Sequence, residues 1–244
     1  MRNIIISDIH GCSDPLKRII DRVQPDPDSD RLIFLGDLFD RGPDSWGVWQ
    51  IIRKLAETFG DRLVLLRGNH EDYLIQEELP RQLREVWERV GRQATVRSFE
   101  QHGERMEDCA PWIREHSTLF FKGEGFQCVH AGLKVDPPEL NDNYTLMHDH
   151  EIVLENRYNG PLTIVGHIAL EEPVWFAGDD DSRPSFFGAI GGKNHGTATR
   201  VQEELVLPLP DHGTICIDAG CGKGGRLIAM MIENQDFILY GEGE

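Results

Sequence analysis

The chain has 244 residues, 27% of them charged and 39% hydrophobic, an ordinary globular mix with room for one large domain and a sizeable core. Its 25 basic and 42 acidic residues give a formal charge of −17, which argues against a broad electrostatic nucleic-acid surface but not against an anionic substrate met by metal cations. No stretch approaches the roughly 18 apolar residues of a membrane-spanning helix, and five cysteines without a framework spacing point to reduced thiols and no zinc ribbon.

The opening Met1-Arg2-Asn3-Ile4 runs straight into an apolar stretch with no signal peptide before it, so we expect a cytoplasmic protein, folded as one domain over residues 1–244. Residues 4–6, 32–35 and 63–66 are short continuous apolar runs and predict buried parallel strands. Each ends in a polar block: Ser7-Asp8-Ile9-His10-Gly11, then Gly36-Asp37-Leu38-Phe39-Asp40-Arg41-Gly42, then Gly68-Asn69-His70-Glu71. Their separation, about 30 residues, is that of successive βαβ units. The three blocks therefore belong on one rim of an open α/β sheet, at the strand C-termini where such sheets collect active-site residues.

Between the strands, Asp14-Pro15 predicts a helix start, with Asp14 as cap and Pro15 in the first helical position. A second helix is expected from Ser45, closed by Gly60. Residues 71–116 have a highly charged helical pattern punctuated by Pro80 and Gly91, and predict several short helices forming a cap or flank. Residues 118–121 and 126–129 predict a hairpin around Gly123-Glu124-Gly125 that delivers His130. Residues 162–165 deliver Gly166-His167, residues 214–217 deliver Asp218, and residues 227–233 and 237–240 form a terminal hairpin. The stretch 171–213, with Asp179-Asp180-Asp181 and Gly191-Gly192, predicts an irregular insertion.

Asp8 and His10, one residue apart past a strand, can converge on one ion. With Asp37, Asn69, His130 and His167 they make a set of oxygen and nitrogen donors without a thiolate, suited to two adjacent divalent ions: Mn²⁺ first, with Fe, Zn²⁺ or Mg²⁺ as alternatives. Singly, each is explained as a turn, a cap or a core histidine; six together at strand ends are not. By contrast His148-Asp149-His150-Glu151 reads as a solvated helix start. Gly191-Gly192-Lys193 lacks the spacing of a P-loop and is expected at most to touch substrate. Cys12 and Cys221 read as buried structural thiols.

The blocks Asp-x-His-Gly, Gly-Asp-x-x-Asp-Arg-Gly and Gly-Asn-His-Glu, followed by two later histidines, resemble the signatures of the phosphoprotein phosphatase and symmetric diadenosine tetraphosphatase group of the calcineurin-like metallophosphoesterases. The resemblance spans Asp8 to His167, with a weaker echo at Asp218 to Gly225. It implies an α/β fold of two mixed β-sheets in a sandwich flanked by helices. It further implies Asp8 and His10 on a first metal, Asp37 as bridge, and Asn69, His130 and His167 completing the second site, with direct attack on phosphorus by a metal-bridging hydroxide. His70 would then protonate the leaving group, Asp40 would orient His70, and Arg41 would hold phosphoryl oxygens beside Asn69. Arg157 is the expected second phosphate-binding arginine.

Asp40 and the Gly-Asn-His-Glu ending resemble the serine/threonine protein phosphatases, which we take as the main expectation for the substrate, a phosphorylated protein. Asp218-Ala219-Gly220-Cys221-Gly222-Lys223-Gly224-Gly225 instead looks like the late glycine-rich segment of the diadenosine tetraphosphatases. A nucleotide substrate of that kind, a polynucleotide end and a catalytically silent binding scaffold are the alternatives.

Overall fold

Successive residues of a strand face opposite ways, and in β1 (Asn3–Ile6) this sorts the apolar run Ile4-Ile5-Ile6 into two cores. Ile4 and Ile6 join one core beneath helices, while Ile5 joins a second core shared by two sheets. The computed structural model describes residues 1–178 and 198–243. In the first sheet β1, β2 (Arg31–Phe34), β3 (Leu63–Leu66) and β4 (Ser117–Thr118) are parallel neighbours in that order. On the other side of β1 the sheet continues through β12 (Arg226–Glu233), β13 (Asp236–Gly243) and β10 (Leu207–Pro208), all antiparallel. The second sheet runs β5 (Phe120–Lys122), β6 (Gln127–Val129), β7 (Thr163–Val165), β11 (Thr214–Cys216), β8 (Val174–Phe176), β9 (Ala198–Arg200), with β6, β7 and β11 parallel and the rest antiparallel.

The sheets face each other across Ile5, Ile33, Leu35 and Met230 from one and Cys128, Ile164 and Ile215 from the other. Outside the first sheet lie α1 (Ser13–Val23) and α2 (Ser45–Phe59), which bury Leu16, Ile19, Val48 and Ile52 against it. Outside the second lie α7 (Asn143–Met147) and α8 (Glu151–Leu154), with Leu146 and Val153 packed on Val165 and Phe176. The expected mixed sandwich flanked by helices is thus the observed architecture. Among the described residues no helix is long and apolar enough to cross a membrane.

Four local expectations need correction. The stretch 171–213, expected as an irregular insertion, contributes β8 and β9 to the second sheet and β10 to the first among its described residues; strands of two or three residues are too short to show a period in the sequence. Helix α1 starts one residue before Asp14, which sits inside the first turn; the cap position is Cys12, whose side chain makes no capping hydrogen bond, and the Ser13 hydroxyl is donated to the Asp44 carboxylate. The expected hairpin over 118–129 is narrower. Thr118 pairs with Leu66 in the first sheet, and only residues 120–122 turn back on β6 in the second, so the chain changes sheets at Leu119. Helical structure in the 71–116 segment begins earlier, at α3 (Asn69–Ile75), and continues through α4 (Arg81–Arg89), α5 (Arg92–Glu100) and α6 (Ala110–His116). Helix α2 does begin at Ser45, with the Asp44 carboxylate accepting from Gly47 N at 2.9 Å. The terminal hairpin turns on Asn234 and Gln235, both left-handed at φ 51° and 68°, as its right-handed strand twist favours. Asp179-Asp180-Asp181 and Gly191-Gly192-Lys193 lie outside the described residues.

Candidate metal centre

The strand ends meet by turning sharply: His10, Asp37, Asp40, Arg41 and His167 all have left-handed backbones, with φ from 47° to 71°. For residues with a β-carbon this conformation costs energy and concentrates at functional sites. Crowding adds to it. A methyl on Gly68 would stand 2.2 Å from Asp37 Oδ1, so the third block reaches the second only because residue 68 is glycine.

Three histidines each spend one ring proton on a backbone carbonyl. His10 Nδ1–H is donated to Phe39 O at 2.9 Å, His130 Nδ1–H to Leu35 O at 2.8 Å, and His167 Nε2–H to His148 O at 3.1 Å. The other nitrogen of each is left with a lone pair pointing into the cluster, the arrangement that fixes a tautomer for metal ligation. Around the second block, Asn69 Oδ1, His130 Nε2 and His167 Nδ1 lie 3.0–3.2 Å from one another. Three facing lone pairs repel unless a cation lies among them. Asp37 belongs to both groups of converging donors, His10–Asp37–His70 and Asp37–His130–His167. Its Oδ2 is 3.5 Å from His10 Nε2 and its Oδ1 is 3.4 Å from His130 Nε2. Asp8 Oδ2 takes the His167 backbone N–H at 2.9 Å, while its buried Oδ1 has no hydrogen-bond partner among the described residues. These oxygen and imidazole donors fit a pair of divalent cations.

Burial lowers the pKa of His10 and His130, and lowers that of His167 to about 3 with help from His130, so all three favour the neutral, ligating form. Asp8 is raised, by burial and then by Asp218 and Asp37. Asp37 moves the opposite way: burial opposes its charge, but His130, His70 and His10 hold it below the usual carboxylate range.

His70 differs from these three histidines. Burial favours its neutral form, yet Asp37, 3.8 Å from Nε2, and Asp40, which accepts from Nδ1 at 2.6 Å, together raise its pKa. Asp40 is held in turn by Trp87 Nε1–H on Oδ2 at 2.6 Å and by the Thr95 hydroxyl on Oδ1 at 2.7 Å. Arg41 lies against His10 Nε2 and 3.5 Å from His70 Nε2.

The expected residues Asp8, His10, Asp37, Asp40, Arg41, Asn69, His70, His130 and His167 therefore come together. Arg157 does not. It follows α8 with its side chain 57% exposed and paired with Glu155, and no interaction among the described residues joins it to the cluster. The reading of residues 148–151 as a solvated helix start holds for exposed His150; His148 is half-buried, 3.8 Å from Asp72, and supplies the carbonyl that orients His167. Cys12 and Cys221 are buried, as expected.

Several participants are given no role by the sequence, although Glu71 and Asp218 lie within the polar blocks. Glu71 accepts from the amides of Asp37 (2.7 Å), Leu38 (2.8 Å) and Gly68 (3.0 Å), tying the second block to the third. Its carboxyl is pushed up to about 7 by burial and by Asp37. Thr95 and Trp87 come from the charged helical segment, where nothing in the pattern distinguishes them. Asp218, buried and raised to about 6 by burial, accepts from Gly220 N at 2.9 Å and leaves Oδ2 without a hydrogen-bond partner among the described residues.

Two facing sheets carry this donor cluster at their strand ends, and comparison with known proteins gives the class. A model described as calcineurin-like phosphoesterase matches residues 1–192, and the chain belongs to that family. It is similar to the symmetrical bis(5′-nucleosyl)-tetraphosphatase of Pseudomonas fluorescens, 31% identical over 57% of this chain and 44% of that one. The enzyme of the same name from Thioalkalivibrio sulfidiphilus is 32% identical over 63% of this chain and 56% of its own. The chain thus spans about half the length of these relatives. The metallophosphoesterase of Sphaerobacter thermophilus, at 18% identity, shares the fold with a TM-score of 0.62 over 100% of this chain and 90% of that one.

Proposed function

We propose that the chain is a metal-dependent phosphohydrolase that cleaves a dinucleoside polyphosphate, as the names of its relatives indicate for them. The observation carrying the chemistry is Asp37, shared by two converging donor groups beside a His70–Asp40 pair. Asp8, His10 and Asp37 would hold one divalent cation, and Asp37, Asn69, His130 and His167 the other, with manganese the first choice for these donors. When bound, such a pair supplies Lewis-acid charge to phosphoryl oxygens and acidifies water.

The chain's own groups do the rest. His70, whose pKa Asp37 and Asp40 raise, delivers the Nε2 proton to the departing oxygen. Asp40 fixes the ring through Nδ1 and balances its charge. Arg41 engages phosphoryl oxygens with its planar guanidinium, a contact that lysine cannot reproduce. A second reading, serine/threonine phosphoprotein hydrolysis, is favoured by Asp40 and by the Gly-Asn-His-Glu ending of the third block. A silent scaffold has less support, because the ligand set and the His70–Asp40 pair are intact.

Incubation of manganese-loaded protein with diadenosine tetraphosphate and, separately, with a phosphoserine peptide tests the proposal. ADP release that is lost in His70→Asn is expected. Phosphate from the peptide without ADP would shift the assignment to the protein phosphatases, and no product from either would overturn the enzymatic reading.

A further inference from the structure

The glycine-rich segment after β11 forms a tight turn pressed onto the metal centre. Asp218 Oδ1 accepts from Gly220 N, and Gly220 O accepts from both Lys223 N at 2.9 Å and Gly225 N at 3.1 Å. Gly222, at φ 80°, packs against the first two blocks: a methyl there would stand 2.5 Å from His10 Cβ and 3.2 Å from Arg41 Cβ. The next residue, Lys223, is exposed. Its ammonium lies in the combined field of Arg41, Asp218, Asp8 and Asp37, and no ion pair fixes Nζ among the described residues. A cation presented by a constrained turn beside Arg41, with Arg157 turned elsewhere, is placed to meet negative charge that a substrate carries beyond the reacting phosphoryl group.

We propose that Lys223 is the second phosphate-binding cation of this site and selects substrates with a chain of two or more phosphates over those with one. This rests on the phosphohydrolase reading and narrows it. Arg41 serves the reacting phosphoryl group and Lys223 the adjoining phosphate. The chain's charge of −17 sharpens the need for such a cation, since the molecule as a whole repels a polyanion.

The test is calorimetric titration of the protein, in excess Mn²⁺, with adenosine 5′-(β,γ-imido)triphosphate and with orthophosphate. Loss of one charge-assisted contact corresponds to roughly a tenfold or larger rise in Kd. Lys223→Gln should therefore weaken the triphosphate at least about tenfold and at least about fivefold more than it weakens orthophosphate, while Lys223→Arg restores binding to within about threefold. Bound manganese should be the same in all three proteins, which separates a contact from a structural role. Equal weakening of both ligands, no weakening, loss of manganese in Lys223→Gln, or absence of triphosphate binding by the unaltered protein would each overturn the assignment. Hydrolysis is scored separately: binding as expected without turnover sinks the phosphohydrolase reading alone, and turnover with a Kd indifferent to Lys223 sinks this one alone.

Discussion

His10 and His70 meet edge to face with ring centroids 4.8 Å apart, yet their surroundings drive the two imidazoles in opposite directions. His10 gives its Nδ1–H to a neutral carbonyl and burial lowers its pKa; His70 gives its Nδ1–H to a carboxylate, and against burial Asp37 and Asp40 raise its pKa. Environments that push neighbouring groups apart in this way separate ligand from proton donor. His70→Asn should accordingly retain its metals while turnover falls by roughly 10²- to 10⁴-fold, the range of general acid catalysis; steady-state kinetics beside elemental analysis reads both. At this scale the sequence was informative, because Asp8, His10, Asp37, Asn69 and His70 lie within short blocks. Arg157 is not legible in the same way, since a position before the His167 strand says nothing about where an exposed side chain points.

Helices α4 and α5 contribute Trp87 and Thr95 to the two oxygens of Asp40, from 47 and 55 residues away. The charged helical segment therefore holds the carboxylate that pairs with His70, and Thr95 also accepts from the Asp40 amide at 2.8 Å. Thr95→Val would leave buried Asp40 groups without partners and should destabilise the fold by about 1–3 kcal/mol. A lower denaturant midpoint together with reduced kcat is expected; an unchanged midpoint would contradict it. A second inter-element tie joins the start of β1 to the turn before β2, where Arg2 Nε is donated to both oxygens of Asp30 at 3.1 Å. Burial opposes the Asp30 charge, but Arg2 and the Asp26 amide hold its pKa below the usual value. A depressed carboxyl stabilises fully above its unfolded pKa, near 3.9, and loses that contribution as pH falls through the folded value. Asp30→Asn should lower Tm at pH 7, by about 1–2 kcal/mol of stability, and the difference from the unaltered protein should shrink below about pH 4. These ties were illegible beforehand because they depend on which distant elements pack together, whereas strand starts and helix periods are local.

For the whole molecule, the alternation of β1 into two cores explains why Ile4, Ile5 and Ile6 are all apolar: both faces of the first sheet are covered. The first half of the chain was readable as βαβ units for that reason. The second half was harder. Strands such as β8 and β11 are only three residues long, too short for a period, and the change of sheets at Leu119 leaves no mark on a continuous run of strand-forming residues. The ligand set nevertheless draws on both sheets, with Asp8, Asp37 and Asn69 following strands of the first and His130 and His167 following strands of the second. Both sheets thus converge on one candidate centre at this rim, and Asp37 belongs to both of its donor groups.

Elemental analysis of the manganese-loaded protein beside its Asp37→Asn variant tests that claim most directly. Two metal ions per chain, with most of both lost in the variant and its thermal unfolding still cooperative, is the predicted result. An unaltered protein that binds no transition metal, or a variant that keeps the full complement, would contradict a centre bridged by Asp37.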